Sequence, residues 1–105
     1  MRLSADQQRA VRVATQEAFP PGTRVCLFGS RADDQRRGGD IDLLVELPSP
    51  LPADEQVARR SRFVARLQRL IEVQRIDVLL TVADAADPRA VVQSARRQAI
   101  ELAVA

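Results

Sequence analysis

The chain contains no histidine, tryptophan, tyrosine or lysine, and it has a single cysteine. Without histidine there is no imidazole-ligated zinc site and no triad that depends on an imidazole base. Cys26, alone, excludes an intramolecular disulfide, and its place in an apolar run reads as a buried strand residue rather than a nucleophile. Aromatic residues make up only 3% of the chain, as Phe19, Phe28 and Phe63. They leave little surface on which the bases of a single-stranded nucleic acid could stack. No apolar run approaches the roughly 18 residues that span a bilayer, and the first residues lack the core of a signal peptide, so a cytoplasmic location is expected. Neither a Walker A sequence nor Gly-x-Gly-x-x-Gly occurs, which argues against P-loop and dinucleotide-binding folds. Any chemistry has to come from carboxylates, hydroxyls, arginines and bound metal.

What is present fits a small globular domain. A length of 105 residues suits one domain, expected to span residues 1–105, with no separate substrate-binding module. Hydrophobic residues are 46% of the chain and charged residues 29%, a balance that buries a core. All 16 basic residues are arginines, set against 14 acidic ones, for a net charge of +2. So small an excess is weak support for nucleic acid as a direct ligand.

Periodicity orders the elements. Ser4, with Gln7 three residues on, forms a capping box, and Leu3, Val11, Ala14 and Ala18 recur at helical spacing, predicting a helix over about residues 5–18. Pro20-Pro21-Gly22 stops it. Arg24 to Phe28 reads as a strand, and the charged stretch from Asp33 to Gly39 as a surface loop. From Asp40 to Leu47 the pattern alternates: Ile41, Leu43, Val45 and Leu47 share one face, Asp40, Asp42, Leu44 and Glu46 the other. After the proline-rich connection at 48–52, Ala53 to about Glu72 reads as a long helix. Its apolar stripe is Val57, Ser61, Val64, Leu67 or Gln68, and Ile71, with a solvated arginine face. Arg75 to Val82 alternates again, with Asp77, Leu79 and Thr81 on the polar side. Asp87-Pro88 offers an N-cap and a first-turn proline for a last helix marked by Val91, Ala95, Ala99 and Leu102. The order implies an α/β (α+β) domain, a small mixed β-sheet covered by helices.

The chemistry gathers in two stretches, Leu27-Phe28-Gly29-Ser30-Arg31-Ala32 and Gly39-Asp40-Ile41-Asp42-Leu43-Leu44-Val45. Gly29 allows close approach of the backbone to a phosphate, and Ser30 offers a hydroxyl and an amide donor. Arg31, Arg36 and Arg37 are candidate phosphate clamps, or counter-charges to the nearby aspartates. Residues two apart on a strand point the same way about 7 Å apart, so Asp40 and Asp42 can converge on one or two cations. Magnesium suits such oxygen ligands and is commonly shared with substrate phosphates. Asp77 can complete the cluster or accept a proton from an attacking hydroxyl.

Gly29-Ser30-Arg31-Ala32, Asp40-Ile41-Asp42-Leu43-Leu44-Val45 and Arg75-Ile76-Asp77-Val78-Leu79 together resemble the minimal nucleotidyltransferases of the DNA polymerase beta superfamily, over about residues 24–82. The resemblance implies the polymerase beta-like fold and assigns Gly29, Ser30 and the neighbouring Arg31 to the nucleotide. It assigns Asp40 and Asp42 to magnesium, and Asp77 to metal or to deprotonation of the acceptor. It further implies transfer of AMP from ATP to a hydroxyl on a protein partner, as in antitoxins paired with all-helical HEPN-like toxins. A docking module that neutralises such a partner without catalysis is the alternative, and an antibiotic-modifying transferase a third. Many relatives place serine before the first aspartate, where this chain has Gly39.

Overall fold

Ser4 opens the first helix with the reciprocal pair its spacing predicts. The Ser4 hydroxyl accepts from the Gln7 N–H at 3.0 Å, and the Gln7 amide oxygen accepts from the Ser4 N–H at 2.9 Å. Helix α1 runs Ala5–Ala18 and stops at Phe19, which is extended ahead of Pro20. Strand β1 follows over Arg24–Phe28, a single 3-10 turn over Gly29–Arg31, β2 over Ile41–Leu47, α2 over Ala53–Leu70 and β3 over Ile76–Val82. Helix α3 spans Ala90–Gln98 and β4 spans Ile100–Val104. The computed structural model describes residues 1–33, 39–72 and 75–105. Most of the loop expected over Asp33–Gly39, with Arg36 and Arg37, lies outside the described residues.

The strands form one mixed sheet in the order β3-β2-β1-β4. β1 is antiparallel to both β2 and β4, while β2 and β3 are parallel, a pairing that needs a crossover, here supplied by α2. The alternation along β2 divides two apolar clusters. Ile41, Leu43, Val45 and Leu47 pack with Val11, Ala14, Phe63 and Leu67 of α1 and α2. Leu44 and Cys26 pack with Val92 and Ala95 of α3 on the opposite face. Cys26 is therefore a buried strand residue, and burial raises its thiol pKa. Between α1 and α2 the rings of Phe19 and Phe63 lie 5.2 Å apart, tilted by 48°. Asp42 shares the parity of Leu44 and so faces the α3 side, where it is half-buried.

Three details differ from the sequence reading. The buried stripe of α2 is Phe63 and Leu67, flanked by Val64 and Ile71, whereas Val57 is 65% exposed and Ser61 is exposed. Several α2 arginines are seam residues rather than a solvated face. Arg59 donates to the Ala18 carbonyl at the end of α1, and Arg66 pairs with Glu17 at 2.6 Å. Finally, the last helix does not reach Leu102. It begins after Arg89, two residues beyond the Asp87-Pro88 start expected, and gives way to β4, with Asp87 accepting from the Arg89 N–H at 3.0 Å.

β3 forms one margin of the sheet. The Arg75 carbonyl and the Ala83 N–H bond to β2, so the carbonyls of Val78, Leu80 and Val82 point outward by alternation. Each accepts from an arginine: Arg60 on Val78, Arg89 on Leu80 and Arg96 on Val82. Among the described residues no helix is long and apolar enough to cross a membrane.

Candidate active site

The end of β1 and the start of β2 meet because Phe28 pairs with Asp42. Directly after Phe28 the chain turns at Gly29 with φ +73°, a left-handed conformation that side chains rarely adopt. Space demands glycine as well, since a Cβ there would collide with Asp42 Oδ2 and sit 3.1 Å from Asp42 Cγ. The Gly-Ser turn and the Asp42 carboxylate are thus in direct van der Waals proximity. The Ala32 N–H closes the turn on the Gly29 carbonyl at 3.2 Å.

Two other segments hold the turn. Arg2 donates from its backbone N–H to the Arg31 carbonyl at 2.7 Å and from Nη2 to the Ser30 carbonyl at 3.1 Å. Arg31 returns a bond to the Arg2 carbonyl at 2.9 Å and reaches the Gly39 carbonyl at 3.0 Å. Its guanidinium therefore ties the turn to the residue before Asp40. From the opposite side, Gln98 at the end of α3 accepts the Gly29 N–H at 3.0 Å.

The carboxylates come from two adjacent strands. Asp42 stands beside Asp77 in the parallel register of β2 and β3, and Asp40 lies just ahead of β2. Arg75 lies 3.6 Å from Asp77 and 3.9 Å from Asp40. Burial is the largest cause holding the Asp42 carboxyl above its usual range; the charges of Asp77 and Asp40 add to it, and Arg75 opposes it. A cation would relieve that repulsion. Three aspartates without histidine or thiolate suit a hard, oxygen-seeking ion such as magnesium. Among the described residues no three acidic, histidine or cysteine side chains are gathered closely enough to enclose an ion on their own.

The family model described as "Nucleotidyltransferase domain" matches residues 9–101, from α1 into β4. The chain belongs to that nucleotidyltransferase family. No curated protein matches it. The match fits a minimal nucleotidyltransferase of the polymerase beta superfamily, and the mixed sheet with helices on both faces is consistent with that fold. This nucleotidyltransferase domain places Gly29, Ser30, Arg31, Asp40, Asp42 and Asp77 around one end of the β1-β2-β3 sheet.

Arg2 and Gln98 escape a reading of the sequence. Gln98 meets Gly29 across 69 residues, a separation for which no local pattern exists. At the opposite end of β2, buried Glu46 pairs with Arg24 at 2.6 Å and Arg96 at 3.5 Å. These groups line a cavity of about 300 Å³. Glu46 shares its strand face with Asp42, but four residues separate it from that chemistry.

Proposed function

We propose that this nucleotidyltransferase is magnesium-dependent and moves a nucleoside monophosphate, AMP from ATP, onto a hydroxyl of a protein partner. The supporting observation is the packing of the Gly29 turn against Asp42, with Asp77 beside it in register. In this reading Gly29 and Ser30 receive the triphosphate, and Asp40, Asp42 and Asp77 hold the metal. An ion held there would supply charge stabilisation to an in-line displacement at phosphorus. Asp77 takes the proton of the acceptor hydroxyl, whose oxygen bonds to the α-phosphorus as pyrophosphate leaves. Arg31 fixes the distance between turn and carboxylates. The partner in this reading is a helical protein such as a HEPN-like toxin, with this chain as its antitoxin in the cytoplasm.

The test is direct. With ATP, magnesium and the partner encoded beside it, the protein should release pyrophosphate and add a nucleotide mass to that partner. Asp42→Ala and Asp77→Ala should each reduce the rate by at least about a thousandfold, the scale expected when charge stabilisation or a proton acceptor is lost. Modification that persists in both variants would remove these carboxylates from the mechanism.

A second reading has a specific support. Gln98 holds the Gly29 N–H, and Arg31 is engaged by two carbonyls, so two donors nearest the phosphates already have partners. A docking module that neutralises its partner without catalysis would keep that function in Asp40→Ala. Loss of neutralisation with binding intact would eliminate it.

A further inference from the structure

Arg75 immediately precedes β3, and its Nε lies 3.6 Å from Asp77 Oδ2 of β3 and 3.9 Å from Oδ2 of Asp40, the residue just ahead of β2. Its backbone is anchored there, because its carbonyl accepts the Ile41 N–H at 3.0 Å. The side chain, by contrast, is 73% exposed, against 49% for Asp40 and 47% for Asp77. A fixed root with a solvated head suits a charge that can swing away.

We propose that Arg75 is the resident counter-ion of the carboxylate cluster, standing where a divalent cation would act, weakening capture of free metal and moving aside when metal arrives with a nucleoside triphosphate. The inference rests on the assignment of Asp40, Asp42 and Asp77 as the metal site. A half-exposed guanidinium–carboxylate pair is individually weak, so a metal carrying two charges and phosphate ligands can displace it. Two such pairs still impose a measurable competition. Removing the arginine charge should tighten binding of free metal roughly three- to tenfold. Arg75 is accordingly a positioning residue, setting the order in which metal and nucleotide load.

The experiment uses Mn²⁺ as the probe, with unbound ion counted by electron paramagnetic resonance in the absence of nucleotide. Wild type, Arg75→Met, Arg75→Lys and Asp42→Asn are compared after thermal melting confirms that each is folded. Arg75→Met should bind Mn²⁺ roughly three- to tenfold more tightly than wild type, and Arg75→Lys should stay near wild type. Asp42→Asn should bind much more weakly. Should methionine disturb the fold, Arg75→Gln repeats the test. Affinity unchanged or reduced in Arg75→Met, with binding lost in Asp42→Asn, would overturn the counter-ion role and leave the metal site standing. Equal tightening in Arg75→Lys would overturn it too, because packing rather than charge would then be responsible. Mn²⁺ binding unaffected by Asp42→Asn, or absent from wild type and Arg75→Met alike, would overturn the site assignment itself. Addition of a non-hydrolysable ATP analogue should shrink the gap between wild type and Arg75→Met; an undiminished gap would show that the arginine is not displaced.

Discussion

Gly29 joins backbone conformation to chemistry within one residue. Alanine at this position would carry both a left-handed strain and a collision with the Asp42 carboxylate. Gly29→Ala should therefore cost about 1–3 kcal/mol of stability in urea denaturation and lower transfer activity beyond what that loss explains. Asp42 illustrates the opposite relation between site and fold. Its folded pKa is raised, so its contribution to stability is present below the unfolded carboxylate range and lost as pH rises through the folded value. Asp42→Asn should then melt at a higher temperature than wild type at neutral pH without metal, while failing in transfer. Asp87 behaves in reverse. Hydrogen bonds from the Arg89 side chain first, then from the Arg89 backbone and Thr81, hold its carboxyl well below the usual range. The stability it contributes is present above the unfolded carboxylate pKa and fades as pH falls through the lower folded value. In melts across acid pH, Asp87→Asn should remove that portion of the acid dependence.

At the scale of elements, α2 and β4 show what patterns can and cannot reveal. Capping chemistry and period-2 alternation placed α1, β1, β2 and β3 nearly residue for residue, because those signals are local. Val64, Leu67 and Ile71 do pack on the core, but the first half of the expected α2 stripe falls on Val57 and Ser61 instead of Phe63, because several helical faces carry apolar residues at permitted spacing. The choice among them falls to the largest side chains, and Phe63 and Leu67 are both fully buried. Phe63→Ala should cost about 3–5 kcal/mol in denaturant unfolding, whereas Val57→Ser should stay within about 0.5 kcal/mol. β4 was hidden for a geometric reason. Val25 pairs with Ala103 but Cys26 with Glu101, so a bulge inserts Leu102 into the strand. Ala99 and Leu102, three residues apart, continue the spacing of Val91 and Ala95 and so imitate a helix, although Ala99 packs on the α3 side and Leu102 on the main core. The carboxylates were legible because strand parity is local. Their neighbours Arg2 and Gln98 were not, since only the closed fold brings them to the turn.

For the molecule as a whole, the central strands rely on the last segment of the chain. β4 pairs with β1, and Ala105 exchanges backbone hydrogen bonds with Gly22 and Thr23 at 2.8 Å. Truncation after Gln98 should expose β1, abolish cooperative melting and remove the slow amide exchange of Val25 and Leu27. The three arginines along β3 have a consequence of another kind. With the carbonyls of Val78, Leu80 and Val82 already accepting, an arriving strand finds no row of unanswered acceptors there. Among the described residues no side chain covers the outer carbonyls of β4 in this way, so the sheet has one sealed margin and one unsealed. Growth by strand addition is thereby polarised. A strand adding at β3 has to displace those arginines, so Arg60→Ala with Arg89→Ala should speed thioflavin T-detected fibril growth in concentrated solution relative to wild type.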